Sequence, residues 1–306
     1  MEMKIFSRIV LTVFMISVNL SVARADMLEW KKMGFEVSNP VSVLDSMADV
    51  RKTFASPLVC SACHHHHYEE WSNSYHAMSV RNAGFQALYL KYLEFLRKEE
   101  TKQALGRESG PEELRQCLFC HAPMLQFASD KLVHEISDSI ANGKWEEIRD
   151  IQISCVMCHT ITPEGKWTGA FGRTGTMYGP IKDPVPATVS GHQSKFSQRH
   201  EESKFCAPCH SLNTFNVYCS LVFEQWQGVK DAKQCQECHM EVTGEMAVAI
   251  GGKIRPDHSH LFQGGRFKDT MSSAIGLSLN VDKTPQKEIQ VQVTLKNNVP
   301  HNVPDG

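Results

Sequence analysis

The 306-residue chain has no charge of one sign to spare. Its 32 lysines and arginines meet 34 aspartates and glutamates, for a formal net charge of −2. That balance gives nucleic-acid binding no electrostatic support. Beyond residue 25 the chain also lacks any run long and apolar enough to cross a bilayer. Hydrophobic residues make up 42%, a modest share for building a core at this length. Length alone allows one or two domains.

What the chain does have is a repeated cysteine pattern. Cys206-Ala-Pro-Cys209-His210 and Cys235-Gln-Glu-Cys238-His239 are two copies of Cys-x-x-Cys-His, and three more precede them. These are Cys60-Ser-Ala-Cys63-His64, Cys117-Leu-Phe-Cys120-His121 and Cys155-Val-Met-Cys158-His159. Chance at these residue frequencies would supply about 0.02 such motifs. Zinc knuckles take four ligands from two pairs, so five pairs would leave one over. Neither a knuckle nor a thioredoxin-like dithiol asks for histidine after every second cysteine. Haem attachment does: two thiols add to the vinyl groups, and the adjacent histidine falls beneath the iron. The pattern therefore predicts five covalent c-type haems, with His64, His121, His159, His210 and His239 as proximal ligands. Protein matured with a competent c-type haem system should be red, and its denatured mass should carry five haem adducts. Four or fewer would remove at least one assignment.

The motifs use ten of the eleven cysteines. Cys219, in the apolar run 217–223, reads as a buried inert thiol, with an intermolecular disulfide or a redox role as the alternatives. Haems are themselves large apolar groups, so five of them would form much of the core. Residues 1–25 read as a secretory signal: Lys4 and Arg8, a mostly apolar stretch, then Ala23-Arg24-Ala25 before Asp26. The apolar stretch is broken by Ser17, Asn19 and Ser21, which favours cleavage over a retained anchor. Export to the periplasm or the cell exterior agrees with c-type attachment.

The chain then divides into an N-terminal arm (26–56), a five-haem region (57–270) and a C-terminal β segment (271–306). Four consecutive histidines, His64 to His67, begin inside the first motif. His65, His66 and His67 read as solvated or locally hydrogen-bonded groups. If the segment is helical, His76 lies about 18 Å from His64 and cannot close on the same iron. Phe85, Leu88, Tyr89, Tyr92, Leu93 and Leu96 recur at helical spacing and read as core. Gly106 and Ser109-Gly110-Pro111 end that helix and start the one bearing the second motif. Residues 160–205, rich in Gly and Pro, read as loop, and 244–265 as again irregular. Alternation at Leu277, Leu279, Val281 and at Ile289, Val291, Val293, Leu295 predicts two strands. A lone strand pair is marginal in water. Either it docks on the haem core or it opens a β domain that continues beyond Gly306. The fold class is thus mainly α with much irregular loop, wrapped around five haems.

Removing the five proximal histidines from fifteen leaves ten for distal positions. Thirteen methionines keep methionine ligation open. From Pro57 onward the chain resembles the multihaem cytochromes typified by the tetrahaem electron acceptor of hydroxylamine oxidation, with relatives among extracellular cytochromes of metal-reducing bacteria. The likeness rests on the first motif followed by Tyr68, Trp71, Ser74, His76 and Ala77, and on Cys117 to Pro123. It also rests on Cys155 to Ile161, Tyr178-Gly179-Pro180, Ser203 to Cys206, Cys235 to Met240, His260 to Gly264 and His301 to Gly306. It implies distal ligation by His76, His192, His200, His260 and His301, with His134 and His258 in reserve. It differs in having five motifs rather than four.

Three functions fit. One is an electron carrier or conduit between redox partner proteins. A second is a subunit of a cytochrome filament or larger redox complex, including a homo-oligomer. The third is a reductase of small nitrogen or sulfur oxyanions with an open haem. No Cys-x-x-Cys-Lys occurs, so the best-known signature of pentahaem nitrite reductase is missing.

Overall fold

The computed structural model describes residues 36–37, 43–167, 175–187, 191–214, 217–283 and 289–303. The signal expected over residues 1–25 lies outside them, as do Pro304 to Gly306 and the side chain of Cys219. Among the described residues no helix is long and apolar enough to cross a membrane.

Helices dominate the first half. They are α1 (Met47–Thr53), α2 (Pro57–Ser61), α3 (His65–Ser72), α4 (Ala83–Leu96), α5 (Glu99–Leu105), α6 (Pro111–His121), α7 (Asp130–Ala141), α8 (Trp145–Ile148) and α9 (Cys155–His159). Local sequence explains their bounds. Ser46, Asn82 and Ser129 cap α1, α4 and α7 by accepting the amides of Asp49, Phe85 and Leu132. Gly106, at φ 68°, closes α5, and Pro111 opens α6 behind Gly110. The helical stretch expected to run on from Gly84 breaks at Arg97-Lys98. Phe85, Tyr89, Leu93 and Leu96 are buried as the spacing predicts, but Leu88 points to solvent.

The N-terminal arm joins this core from residue 43 onward. Leu44 exchanges backbone hydrogen bonds with Phe127 and Ser129, both 2.8 Å, and buries its side chain beside Val50 and Phe54.

The second half is built differently. Short helices α10 (Ala207–His210), α11 (Val222–Gln227), α12 (Cys235–His239) and α13 (Lys268–Ala274) alternate with paired strands. Glu36–Val37 (β1) lies parallel to Lys166–Trp167 (β2), and Thr176–Gly179 (β3) parallel to Gln193–Phe196 (β4). The antiparallel pairs are Leu212–Thr214 (β5) with Val217–Ser220 (β6), Val242–Ala247 (β7) with Ile254–His258 (β8), and Ile275–Lys283 (β9) with Ile289–Asn297 (β10). The last pair is the one the alternation predicts. The β7–β8 hairpin corrects the irregular reading of 244–265. Its period is hidden by Gly244, Pro256 and a register shift between Val242 and Gly244.

The buried apolar cluster runs from Leu44 to Ile161, and beyond it only Ala274 is a buried hydrophobic among the described residues. Among the described residues, side chains alone give the second half no core of its own. That half nevertheless carries two motifs and five of the ten remote histidines.

Candidate functional site

Each motif is one tight helical turn. In the first, the Cys63 and His64 amides both reach the Cys60 carbonyl, and His64 then caps α3. The second, third and fifth motifs lie within α6, α9 and α12. In the fourth the His210 amide donates to the Cys206 carbonyl at 3.1 Å. One helical turn sets the two thiols and the imidazole on a common side, the arrangement that two thioethers and one axial bond require.

Four of the five motif histidines are held alike. Their Nδ1 atoms lie 2.6 Å from the Val248 carbonyl (His64), 2.8 Å from Ser79 (His121), 2.7 Å from Tyr178 (His159) and 2.5 Å from Gln263 (His239). A carbonyl oxygen only accepts, so Nδ1 carries the proton and Nε2 keeps its lone pair for a metal. The remote residues His192, His260 and His301 use Nδ1 in the same way, toward the carbonyls of Gln193, His258 and Asn302. Burial holds His64, His121 and His159 below the usual imidazole range. It pushes His76, His200 and His260 down to about 3. Neutral imidazole is the ligating form.

The tertiary structure pairs these rings across the chain. His64 faces His192 with ring centres 6.2 Å apart, and His210 faces His76 at 6.4 Å. His159 faces His260 at 6.4 Å, and His239 faces His301 at 6.2 Å. Two metal–imidazole bonds of about 2 Å each, with the ring centres about 1.1 Å further out, set trans ligands about 6.3 Å apart. All four pairs match that span, so the residues present fit a haem iron between each.

His200 stands differently. Its ring stacks beside His159 at 5.6 Å and 17°, with Nε2 3.3 Å from the Cys158 carbonyl. His121 is stacked on Phe85 at 3.9 Å, and no histidine ring is paired with it among the described residues. His134 lines a cavity of about 220 Å³ with Arg97, Lys102 and Glu108, away from the motifs. His258 is exposed and bonded to the Met240 carbonyl.

The cysteines of different motifs adjoin one another. The Cys60 thiol contacts that of Cys155, and Cys206 contacts Cys235. Cys120 Sγ lies 4.0 Å from the Cys209 carbonyl. Cys158, pushed up to about 12 by burial, is close enough to feel the charge of Cys209. Ser203 links the last two motifs: its hydroxyl accepts the Cys235 amide, and its amide donates to Gln234. These two motifs are also the closest in sequence, with only the 24 residues Ser211 to Gln234 between them.

No family model and no curated protein sequence matches the chain. Among solved structures it is similar to a penta-heme cytochrome c552 from Thermochromatium tepidum. The likeness is 22% identity and a TM-score of 0.55, over 82% of this chain and 68% of that one. The two share a fold.

Proposed function

We propose that this chain is a multihaem c-type cytochrome, exported through residues 1–25 to the periplasm or beyond, that relays electrons between redox partner proteins. The observation that carries the reading is the set of four histidine pairs at 6.2–6.4 Å, each joining a motif histidine to a remote one. Cys60/Cys63, Cys117/Cys120, Cys155/Cys158, Cys206/Cys209 and Cys235/Cys238 would hold five haems covalently. His64/His192, His210/His76, His159/His260 and His239/His301 would be the axial pairs of four, and His121 the single histidine of the fifth.

When bound, the haems supply reversible one-electron chemistry. The protein fixes the tautomer of seven of these imidazoles through a carbonyl, disfavours the charged form of His64, His76, His121, His159 and His260 by burial, and sets neighbouring attachment points side by side. Contiguous attachment from the second motif to the fourth, the fourth to the third and fifth, and the third to the first supports a conduit. The Thermochromatium protein is a penta-heme cytochrome, and five motifs occur here. His200, stacked on the flank of His159, is assigned a supporting place rather than an axial one, which leaves four remote histidines as ligands.

A second reading is favoured by His121 alone. A haem there would have one histidine ligand and could take a small exogenous molecule, as a reductase of small oxyanions requires.

Low-temperature electron paramagnetic resonance of the oxidised protein tests the assignment. Four low-spin haems and one high-spin haem are expected, and His301→Ala should convert one low-spin haem to high spin. An unchanged count in that variant removes His301 from the ligand set.

A further inference from the structure

The histidine run after the first motif has a use in the fold. Helix α3 begins at its N-cap His64 and carries His67 and Glu70 one turn apart on one face. Both residues meet a segment 190 positions later in sequence. The Glu70 carboxylate accepts the His260 amide at 2.8 Å through one oxygen and the Ser259 hydroxyl at 3.0 Å through the other. Ser259 is fully buried and its hydroxyl accepts the Leu261 amide in turn. His67 Nε2 lies 2.9 Å from the carboxylate of Asp257, which is nearly inaccessible and also takes the Thr243 hydroxyl. The edge of the His67 ring abuts the His260 ring, with centres 4.8 Å apart and planes at 82°.

We infer that Glu70 and the His67–Asp257 pair are positioning residues for His260, setting the depth and ring orientation of that imidazole opposite His159. The inference rests on the reading of His260 as an axial ligand. His260 follows the end of β8 on a stretch without regular structure, and Phe262 just beyond adopts a positive φ of 50°. Such backbone does not by itself define where a side chain points. Two charge-assisted hydrogen bonds to one carboxylate hold the main chain. The His67 edge restricts rotation of the ring, and the His258 carbonyl selects the tautomer. The helix that starts at the axial histidine of the first motif thereby sets the distal ligand of the third. The two motifs are already in contact through Cys60 and Cys155. Perturbing α3 therefore acts on a haem to which it is not attached.

The test uses oxidised holoprotein, with electron paramagnetic resonance and a spectroelectrochemical titration of the haems. His260→Ala is measured first and should raise the high-spin signal from one haem equivalent to two. Glu70→Ala should shift the g-values and midpoint potential of one low-spin haem, the one lost in His260→Ala, and leave the other three unchanged. His67→Ala should shift that same haem, beside any change at the haem of His64, whose ring His67 also meets edge-on at 6.5 Å. Glu70→Gln, which keeps a carbonyl acceptor, should restore most of the wild-type signal. Glu69→Ala, removing an exposed neighbour that meets only His65, should change nothing. If His260→Ala leaves the spin count unchanged, the ligation reading fails and this inference with it. If His260→Ala behaves as expected but Glu70→Ala and His67→Ala give wild-type spectra, the positioning role alone is overturned. Should Glu70→Ala fail to mature with five haems, His67→Ala decides the same question.

Discussion

Reduced protein exposed to carbon monoxide is expected to take up one equivalent per chain, at the haem attached through Cys117 and Cys120. The argument is geometric. Four motif histidines face a second imidazole at the span of a trans pair, whereas His121 has none opposite it among the described residues. His121 is also rigidly seated. Its Nδ1 donates to the Ser79 carbonyl at 2.8 Å, its own carbonyl accepts the Ser79 hydroxyl at 2.6 Å, and the Phe85 ring lies flat against it. With His121 so fixed and no histidine across from it among the described residues, a haem held there would offer its sixth position to an added molecule. His76→Ala and His301→Ala should each raise the uptake to two equivalents, because each removes one member of a matched pair. A wild-type stoichiometry of zero, read from the absorbance change on titration, would mean that a residue other than histidine completes this site.

Glu113→Ala is expected to cost about 2–4 kcal/mol of stability, measured by denaturant unfolding of the holoprotein. The Glu113 side chain is almost completely buried, and its two oxygens meet Arg107 at 2.8 and 3.1 Å. One of them also accepts the Gly110 amide at 2.7 Å, closing the N-terminus of α6. Removing the carboxylate leaves a buried amide donor unpaired and the helix uncapped. The loss is moderated because Arg107 is itself half exposed and can rehydrate. Glu113→Gln, which keeps an acceptor for Gly110, should recover about half. Since α6 carries the second motif, its loosening should broaden the spectrum of that haem before the others. A change below about 0.5 kcal/mol would show the ion pair to be ornamental.

The motifs were legible because thioether attachment makes a strictly local demand. Two thiols and an imidazole must share one helical turn, and contiguous sequence meets that demand without help from the rest of the fold. The Gly106 stop, the Gly110-Pro111 start and the alternation in β9 and β10 were readable for the same reason. The strands of β7 and β8 were not, since Gly244 and Pro256 erase the alternation and backbone pairing supplies what the side chains do not announce. Leu88 shows the limit of a periodic stripe: it fits the pattern, yet it lies exposed to solvent.

By itself the sequence supplied five Cys-x-x-Cys-His motifs, their five histidines and a pool of remote histidines large enough to oppose them. The tertiary structure alone decided which of these meet. It set His192, His76, His260 and His301 across from four motif histidines, placed His200 on the flank of His159, and left Phe85 beside His121. It also brought His67, from a run that reads as solvated or locally hydrogen-bonded, against Asp257 and the ring of His260. The reason is physical: covalent attachment is settled within five residues, whereas an axial pair is a distance between two rings carried by separate elements. Only the packing of those elements fixes that distance.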